Sequence, residues 1–252
     1  MKTDIELISI GNELLSGRTL NTHVQTLGGE LSKIGLKLSR DTTIPDEIST
    51  IQSAVHSAFE RVDIVVVSGG LGPTVDDITR DALAELAGVG IVLSQSALEA
   101  IQARYASRGY PFTPAAERQA MVLEGAEVLL NPVGCAPGEQ LTLPNRKTLF
   151  MIPGPPVEFA AVLGEHIIPR LRKIFPDAVA DGLRVLMTQG IGESLLVTQL
   201  EDAGFQCPGI AIGFYPGSGQ VEIRLSAPSE KTAVLNEAET TLRELLHEWL
   251  ID

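Results

Sequence analysis

The chain has 252 residues, 44% hydrophobic and 20% charged, which excludes a disordered or fibrous polypeptide and suits one large domain or a medium domain with a small companion. Nineteen Lys and Arg stand against 32 Asp and Glu, a formal net charge of −13. That argues against partners such as nucleic acid or an anionic membrane surface, because both need clustered cations. A small anionic substrate is compatible, since a local cradle of N–H groups or a bound cation overrides the global sign. Cys135 and Cys207 have no metal-site spacing and suit a reducing compartment. The apolar run Ile5–Ile10 is too short for a signal sequence or a membrane span. The expectation is a soluble, cytoplasmic protein.

In chain order, Ile5–Ile10 reads as a strand. Asn21 is positioned to cap a helix with Val24, Leu27, Leu31 and Ile34 on its apolar face and Gly35 as its stop. Gly28 and Gly29 lie inside it at about 1 kcal/mol each against Ala, offset by close packing or marking local disorder. Leu36–Thr43 is a second strand, and Ile48, Ile51, Val55 and Phe59 mark the next helix. The run from Asp63 to Val67 predicts a strand buried on both faces, as in a parallel sheet. A glycine loop follows, then a helix from about Asp76 to Ala87. Leu98, Ile101 and Tyr105 mark another helix, and Thr113-Pro114 starts one more. Ala126–Leu130 is a short strand. Glu139–Leu143 and Thr148–Ile152 make a hairpin, and the helix after Pro153-Gly154-Pro155-Pro156 carries Phe159, Val162, Leu163, Ile167 and Leu171.

Strand–helix alternation of this kind predicts a three-layer α/β/α fold with a mostly parallel sheet over residues 1–175. Around Pro176 the texture changes. Strand Leu183–Thr188, helix Glu193–Ala203, hairpin Ile210–Tyr215 with Gln220–Leu225, and a helix from Glu230 to about Trp249 predict a small α+β domain over residues 176–252.

The segment with most chemical content is Ser68-Gly69-Gly70-Leu71-Gly72-Pro73-Thr74-Val75-Asp76-Asp77-Ile78-Thr79. A buried strand ends, glycines let the backbone turn and approach a ligand, and a helix starts with unpaired N–H groups that favour an anion. The glycine spacing is neither a dinucleotide fingerprint nor a P-loop. Thr74 and Asp77 have capping-box spacing, so structural capping competes with function there. Two carboxylates beside an anion cradle are reconciled by a divalent cation, which binds one or two carboxylates plus phosphate oxygens. After the first strand comes Gly11-Asn12-Glu13-Leu14-Leu15-Ser16-Gly17-Arg18, which by itself reads as an ordinary βα loop with a solvated Glu and Arg, although its place after a strand lets Glu13 reach the same sheet edge and makes Arg18 a candidate phosphate partner. Asn131-Pro132-Val133-Gly134-Cys135-Ala136-Pro137-Gly138 and Pro153-Gly154-Pro155-Pro156-Val157-Glu158 are rigid loops that expose backbone donors. The four His show no ligand spacing and read as surface or capping residues.

Together these four segments, in this order, resemble the CinA-like family, within the wider group of MoaB/Mog-like molybdopterin-binding domains. Gly190-Ile191-Gly192-Glu193-Ser194 and the hairpin beyond it resemble the family's middle domain. The resemblance implies hydrolysis of ADP-ribose or a similar nucleotide diphosphate, ADP-ribose giving AMP and ribose 5-phosphate. It further implies a divalent metal (Mg2+, Co2+ or Mn2+) and K+ as cofactors, and a homo-oligomer, most simply a dimer. Asp76, Asp77 and Glu13 are the candidate catalytic residues, with Asp76 and Asp77 on the metal. Ser68, Gly69, Gly70, Gly72, Thr74, Thr79, Asn21, Gly138, Gly154, Pro155 and Glu158 are the candidate substrate-binding residues. The family's deamidase domain has no counterpart within 252 residues. Asn12, His23, Leu123 and Cys135 depart from its usual residues, and His23 and Cys135 bear on substrate choice. Two alternatives stay open: binding or adenylylation of molybdopterin in cofactor biosynthesis, and a non-catalytic nucleotide-binding module.

Overall fold

The computed structural model describes residues 3–251. The chain divides into two compact units, the first reaching Ala178 and the second starting at Val179.

In the first unit, β1 (Asp4–Ile10) leads through α1 (Asn12–Leu15) and α2 (His23–Ser32) to β2 (Lys37–Ile44). Then come α3 (Ile48–Arg61), β3 (Ile64–Ser68) and α4 (Thr79–Ala87). β4 (Ile91–Leu93), α5 (Gln95–Ser107), α6 (Pro114–Arg118) and β5 (Met121–Leu123) follow. β6 (Glu127–Leu129), β7 (Gly138–Thr142) and β8 (Thr148–Ile152) precede α7 (Pro156–Val162), a π-helical turn (Leu163–Ile167) and α8 (Ile168–Ile174). The main sheet has the order β2-β1-β3-β8-β7-β6. Its first four strands run parallel, and β7 and β6 join antiparallel.

β3 shows why the sheet is covered twice. All five of its residues are buried. Val65 and Val67 pack with Ile51 and Val55 of α3 and Leu83 of α4, whereas Ile64 and Val66 pack with Leu27 and Leu31 of α2 and Phe159 and Val162 of α7. Alternate residues therefore serve opposite faces, and each burial contributes roughly 1.5–3 kcal/mol. The first crossover, through α2, and the second, through α3, lie on opposite faces. Strand order reverses at β1, so the loops after β1 and β3 diverge and open a crevice at the sheet's carboxyl edge.

Several local expectations need correction. α2 starts at His23 with Thr22 as its N-cap. Asn21 instead accepts the His23 N–H at 3.1 Å in a turn before the helix. A Cβ on Gly29 would meet open space, and one on Gly28 only ordinary contact with Leu38, so close packing does not require either glycine. α4 starts at Thr79, which leaves Asp76 and Asp77 in the preceding turn. The helix after Pro156 is interrupted by the π-helical turn. β4 and β5 form an antiparallel ribbon that short apolar runs did not reveal.

The second unit comprises β9 (Gly182–Gln189), α9 (Glu193–Asp202), β10 (Ala211–Pro216), β11 (Gln220–Ala227), a 3-10 turn (Ser229–Lys231), α10 (Thr232–Leu245) and β12 (Leu250–Ile251). Its antiparallel sheet has the order β10-β11-β9-β12. Leu196 and Leu200 of α9 and Leu235 and Leu242 of α10 share its core with Ile223 and Leu225. α10 stops before Trp249 because the chain returns to pair Leu250 with Thr188. Among the described residues no helix is long and apolar enough to cross a membrane.

Candidate functional site

The glycine turn is built by two close approaches. Gly69 has φ +106°, and a Cβ there would overlap the Ile10 carbonyl oxygen at the end of β1. Gly70 has φ +64°, and its Cβ would overlap the Thr79 hydroxyl. Only glycine meets both the positive φ and the crowding. Thr79 is fully buried and its Oγ1 donates to the Gly69 carbonyl at 2.9 Å. The Gly69 N–H donates to the Ile152 carbonyl at 3.2 Å, so it is already committed and is not available to a ligand. Any cradle of backbone donors therefore rests on Gly70 and Gly72.

The two aspartates differ. Asp77 Oδ2 accepts from the Thr74 N–H at 2.8 Å and from Thr74 Oγ1 at 2.6 Å, which closes the turn ahead of α4. Asp76 is exposed. Across the crevice mouth, the Glu13 carboxylate folds over Gly11, where a Cβ would crowd it. The Asn12 N–H donates to Asp46 Oδ2 at 2.9 Å.

These groups border a cavity of about 490 Å³, a size that suits a small-molecule ligand. Of the expected residues, Glu13, Gly69, Gly70, Gly72, Asp76, Asp77, Gly154, Pro155 and Glu158 line it. Ser68, Thr74, Thr79, Asn21 and Gly138 do not. Ser68 is buried and donates to the Pro153 carbonyl. Thr74 and Thr79 shape the turn, and Asn21 Nδ2 donates to Thr43 Oγ1 at 3.3 Å. A Cβ on Gly138 would crowd the Met151 carbonyl and Val162, so that glycine serves packing. Arg18 is exposed and does not line the cavity.

The site also draws on residues outside the expected set, and His23 corrects the expectation of a surface or capping histidine. His23 is buried, stacks on Phe159 at 4.1 Å with planes 5° apart, and its Nε2 donates to the Gly154 carbonyl at 2.8 Å. Burial pushes its pKa down, which favours the neutral ring. Asn131 Nδ2 donates to Glu158 Oε2 at 2.6 Å, and its Oδ1 accepts from Gly134 N at 2.7 Å. It thereby joins the two proline-containing loops. Tyr105, Arg108, Gln119 and Cys135 also reach the cavity, and burial pushes the Cys135 thiol up.

The lining is strongly acidic. Glu13, Asp46, Asp76, Asp77 and Glu158 face one guanidinium, Arg108. A bare polyanion is repelled there, and a divalent cation removes the conflict. Among the described residues no group of three or more His, Cys, Asp or Glu converges as a complete metal site. Thr74 takes Asp77 Oδ2, which leaves Asp76 and the Oδ1 of Asp77 as the oxygens that would meet an ion drawing its other ligands from substrate and water.

Comparison with known proteins agrees with this architecture. Residues 6–173 match the model of the probable molybdopterin binding domain, and residues 183–250 that of the damage-inducible protein CinA KH domain. The chain is 36% identical over 247 residues to a CinA-like protein of Gemmatimonas aurantiaca, covering 96% of this chain and 58% of the relative. It is 34% identical to a putative competence-damage inducible protein of Caldicellulosiruptor saccharolyticus, covering 97% and 60%. The crystal structure of the protein CinA with unknown function from Thermoplasma acidophilum superposes with a TM-score of 0.60 at 34% identity, covering 66% of this chain and 98% of that one. The first unit is thus a molybdopterin-binding-type domain with its crevice at the carboxyl edge of the sheet. With its second unit of the CinA KH type, the chain belongs to the CinA family. It spans less than two thirds of the length of the curated relatives it matches.

Proposed function

We propose that the cavity binds a nucleoside diphosphate compound such as ADP-ribose and hydrolyses its phosphoanhydride, giving AMP and ribose 5-phosphate. The observation that carries this reading is the backbone turn at Gly70–Gly72 beside Asp76 and Asp77 on one acidic cavity. The Gly70 and Gly72 N–H groups hold phosphate oxygens. Asp76 and Asp77 would hold a divalent cation, and Glu13 takes a proton from the attacking water as the bridging oxygen leaves with the other phosphate. The cation, when bound, offsets the carboxylate charge and polarises a phosphoryl oxygen.

The match to a molybdopterin-binding domain supports a second reading, retention or adenylylation of a pterin. Both are tested by incubating nucleoside diphosphate sugars, ADP-ribose included, with Mg2+, Co2+ or Mn2+ and K+ and separating the products. Cation-dependent release of AMP supports hydrolysis. Full turnover in excess chelator overturns the mechanism. Tight pterin retention with no ADP-ribose cleavage reverses the order of the two readings, and nucleotide-dependent thermal stabilisation without product leaves a binding module.

A further inference from the structure

Gln119 follows α6 as its C-cap and is only 7% exposed. It lines the cavity, yet its Oε1 is buried and has no hydrogen-bond partner. The backbone around it is fixed. Its N–H donates to the Ala116 carbonyl at 3.1 Å, and the next residue, the buried Ala120, accepts from Ser94 N at 2.9 Å. An unmet buried amide oxygen is costly and uncommon in folded proteins, and it points to a partner that arrives with a ligand.

Its neighbours in the cavity wall narrow what that ligand is. Tyr105 of α5 meets Phe112 edge-on at 5.8 Å, which fixes the phenol ring. Arg108 Nη2 donates to the Val133 carbonyl at 3.3 Å. A phenol ring, a guanidinium plane and a carboxamide suit a flat heteroaromatic ring with an N–H edge. The carboxylates and the glycine turn suit the charged half of a nucleotide.

We propose that Gln119 is a specificity-determining residue that reads the base: its carboxamide, shielded at Oε1 in this structure, turns into the cavity so that Oε1 accepts a hydrogen bond from the exocyclic amine of adenine. This rests on the nucleotide reading above. The same carboxamide offers an adjacent N–H donor to a ring nitrogen, the two-point pairing that amide side chains make with adenine.

The test is a calorimetric titration with Ca2+ present, using ADP-ribose and its counterpart bearing unsubstituted purine, which lacks the amine. The native protein is expected to bind ADP-ribose about tenfold more tightly than the purine compound. In Gln119→Leu the ratio falls to near one, through weaker binding of ADP-ribose, while the unfolding midpoint holds or rises because an unmet polar group is gone. Gln119→Met, closer in shape, gives the same ratio and serves if the leucine variant does not fold. An unchanged ratio in the variants, or equal affinity for both compounds in the native protein, overturns the role of Gln119 alone. Failure of the native protein to bind either compound overturns the nucleotide reading and this proposal with it.

Discussion

Arg80 is bound to Glu139 inside the protein: Nε donates to Oε1 at 2.7 Å, and both side chains are buried. The pair also ties four segments together. Arg80 Nη1 donates to the Leu71 carbonyl at 3.1 Å, and Glu139 Oε2 accepts from the Leu123 N–H at 2.7 Å. The glycine turn is thereby held from α4, with β5 and β7 behind it. Arg80→Met alone leaves a buried carboxylate uncompensated and is expected to cost about 3–5 kcal/mol. Arg80→Met with Glu139→Leu is expected to cost much less. Urea unfolding of the two singles and the double measures the coupling.

Gly70→Ala forces a Cβ onto the Thr79 hydroxyl at a positive φ. The expected loss is about 2 kcal/mol or more, with ligand affinity falling too because the Thr79 bond to Gly69 is displaced. Gly29→Ala meets open space in α2 and is expected to stabilise by about 1 kcal/mol. Denaturant midpoints of the two variants should move in opposite directions.

His23 carries a pH dependence. Its folded pKa lies below the ordinary value near 6.5 because of burial, so the unfolded chain binds the proton more readily. Stability from this site is therefore fully present above pH about 6.5 and is lost as pH falls towards the folded pKa. Subtracting the urea midpoints of His23→Gln from those of the native protein, pH 8 to pH 5, should give a difference that falls with acidification. A flat difference contradicts the buried neutral ring.

Thr74→Val removes the hydroxyl from Asp77 Oδ2 while leaving both carboxylates in the chain. The expected stability loss is about 1 kcal/mol, with turnover reduced through disorder of Asp77. Asp76→Asn should instead abolish cation-dependent turnover with little change in unfolding midpoint, since Asp76 is exposed. Rates and unfolding curves on the same preparations separate a positioning effect from loss of a ligand.

Much of the fold was legible in the sequence because the signals are local. The β-branched run before Ser68 is continuous, and β3 is buried on both faces. The order of loops was readable, and with it the meeting of Glu13, Gly70, Gly72, Asp76 and Asp77 at one sheet edge. The start of α4 was misplaced because Thr74 and Asp77 mimic a helix cap while closing a turn of their own. Partnerships across long separations left no local trace. His23 meets Gly154 across 131 positions, and Gln119 and Arg108 reach the cavity only through the course of α5 and α6. Three-residue strands such as β4 and β5 are too short to show a period.

The sheet order leaves β2 and β6 at the two margins. A margin with unused backbone groups is a template for pairing with another chain, and such templates seed aggregation. β6 offers three residues, too few to dock a foreign strand with any persistence. β2 is longer, at eight residues, and carries Lys37, Arg40 and Asp41, whose charges would have to be desolvated by any strand that added there. The unit thus keeps an open sheet while discouraging intermolecular β-pairing at its margins.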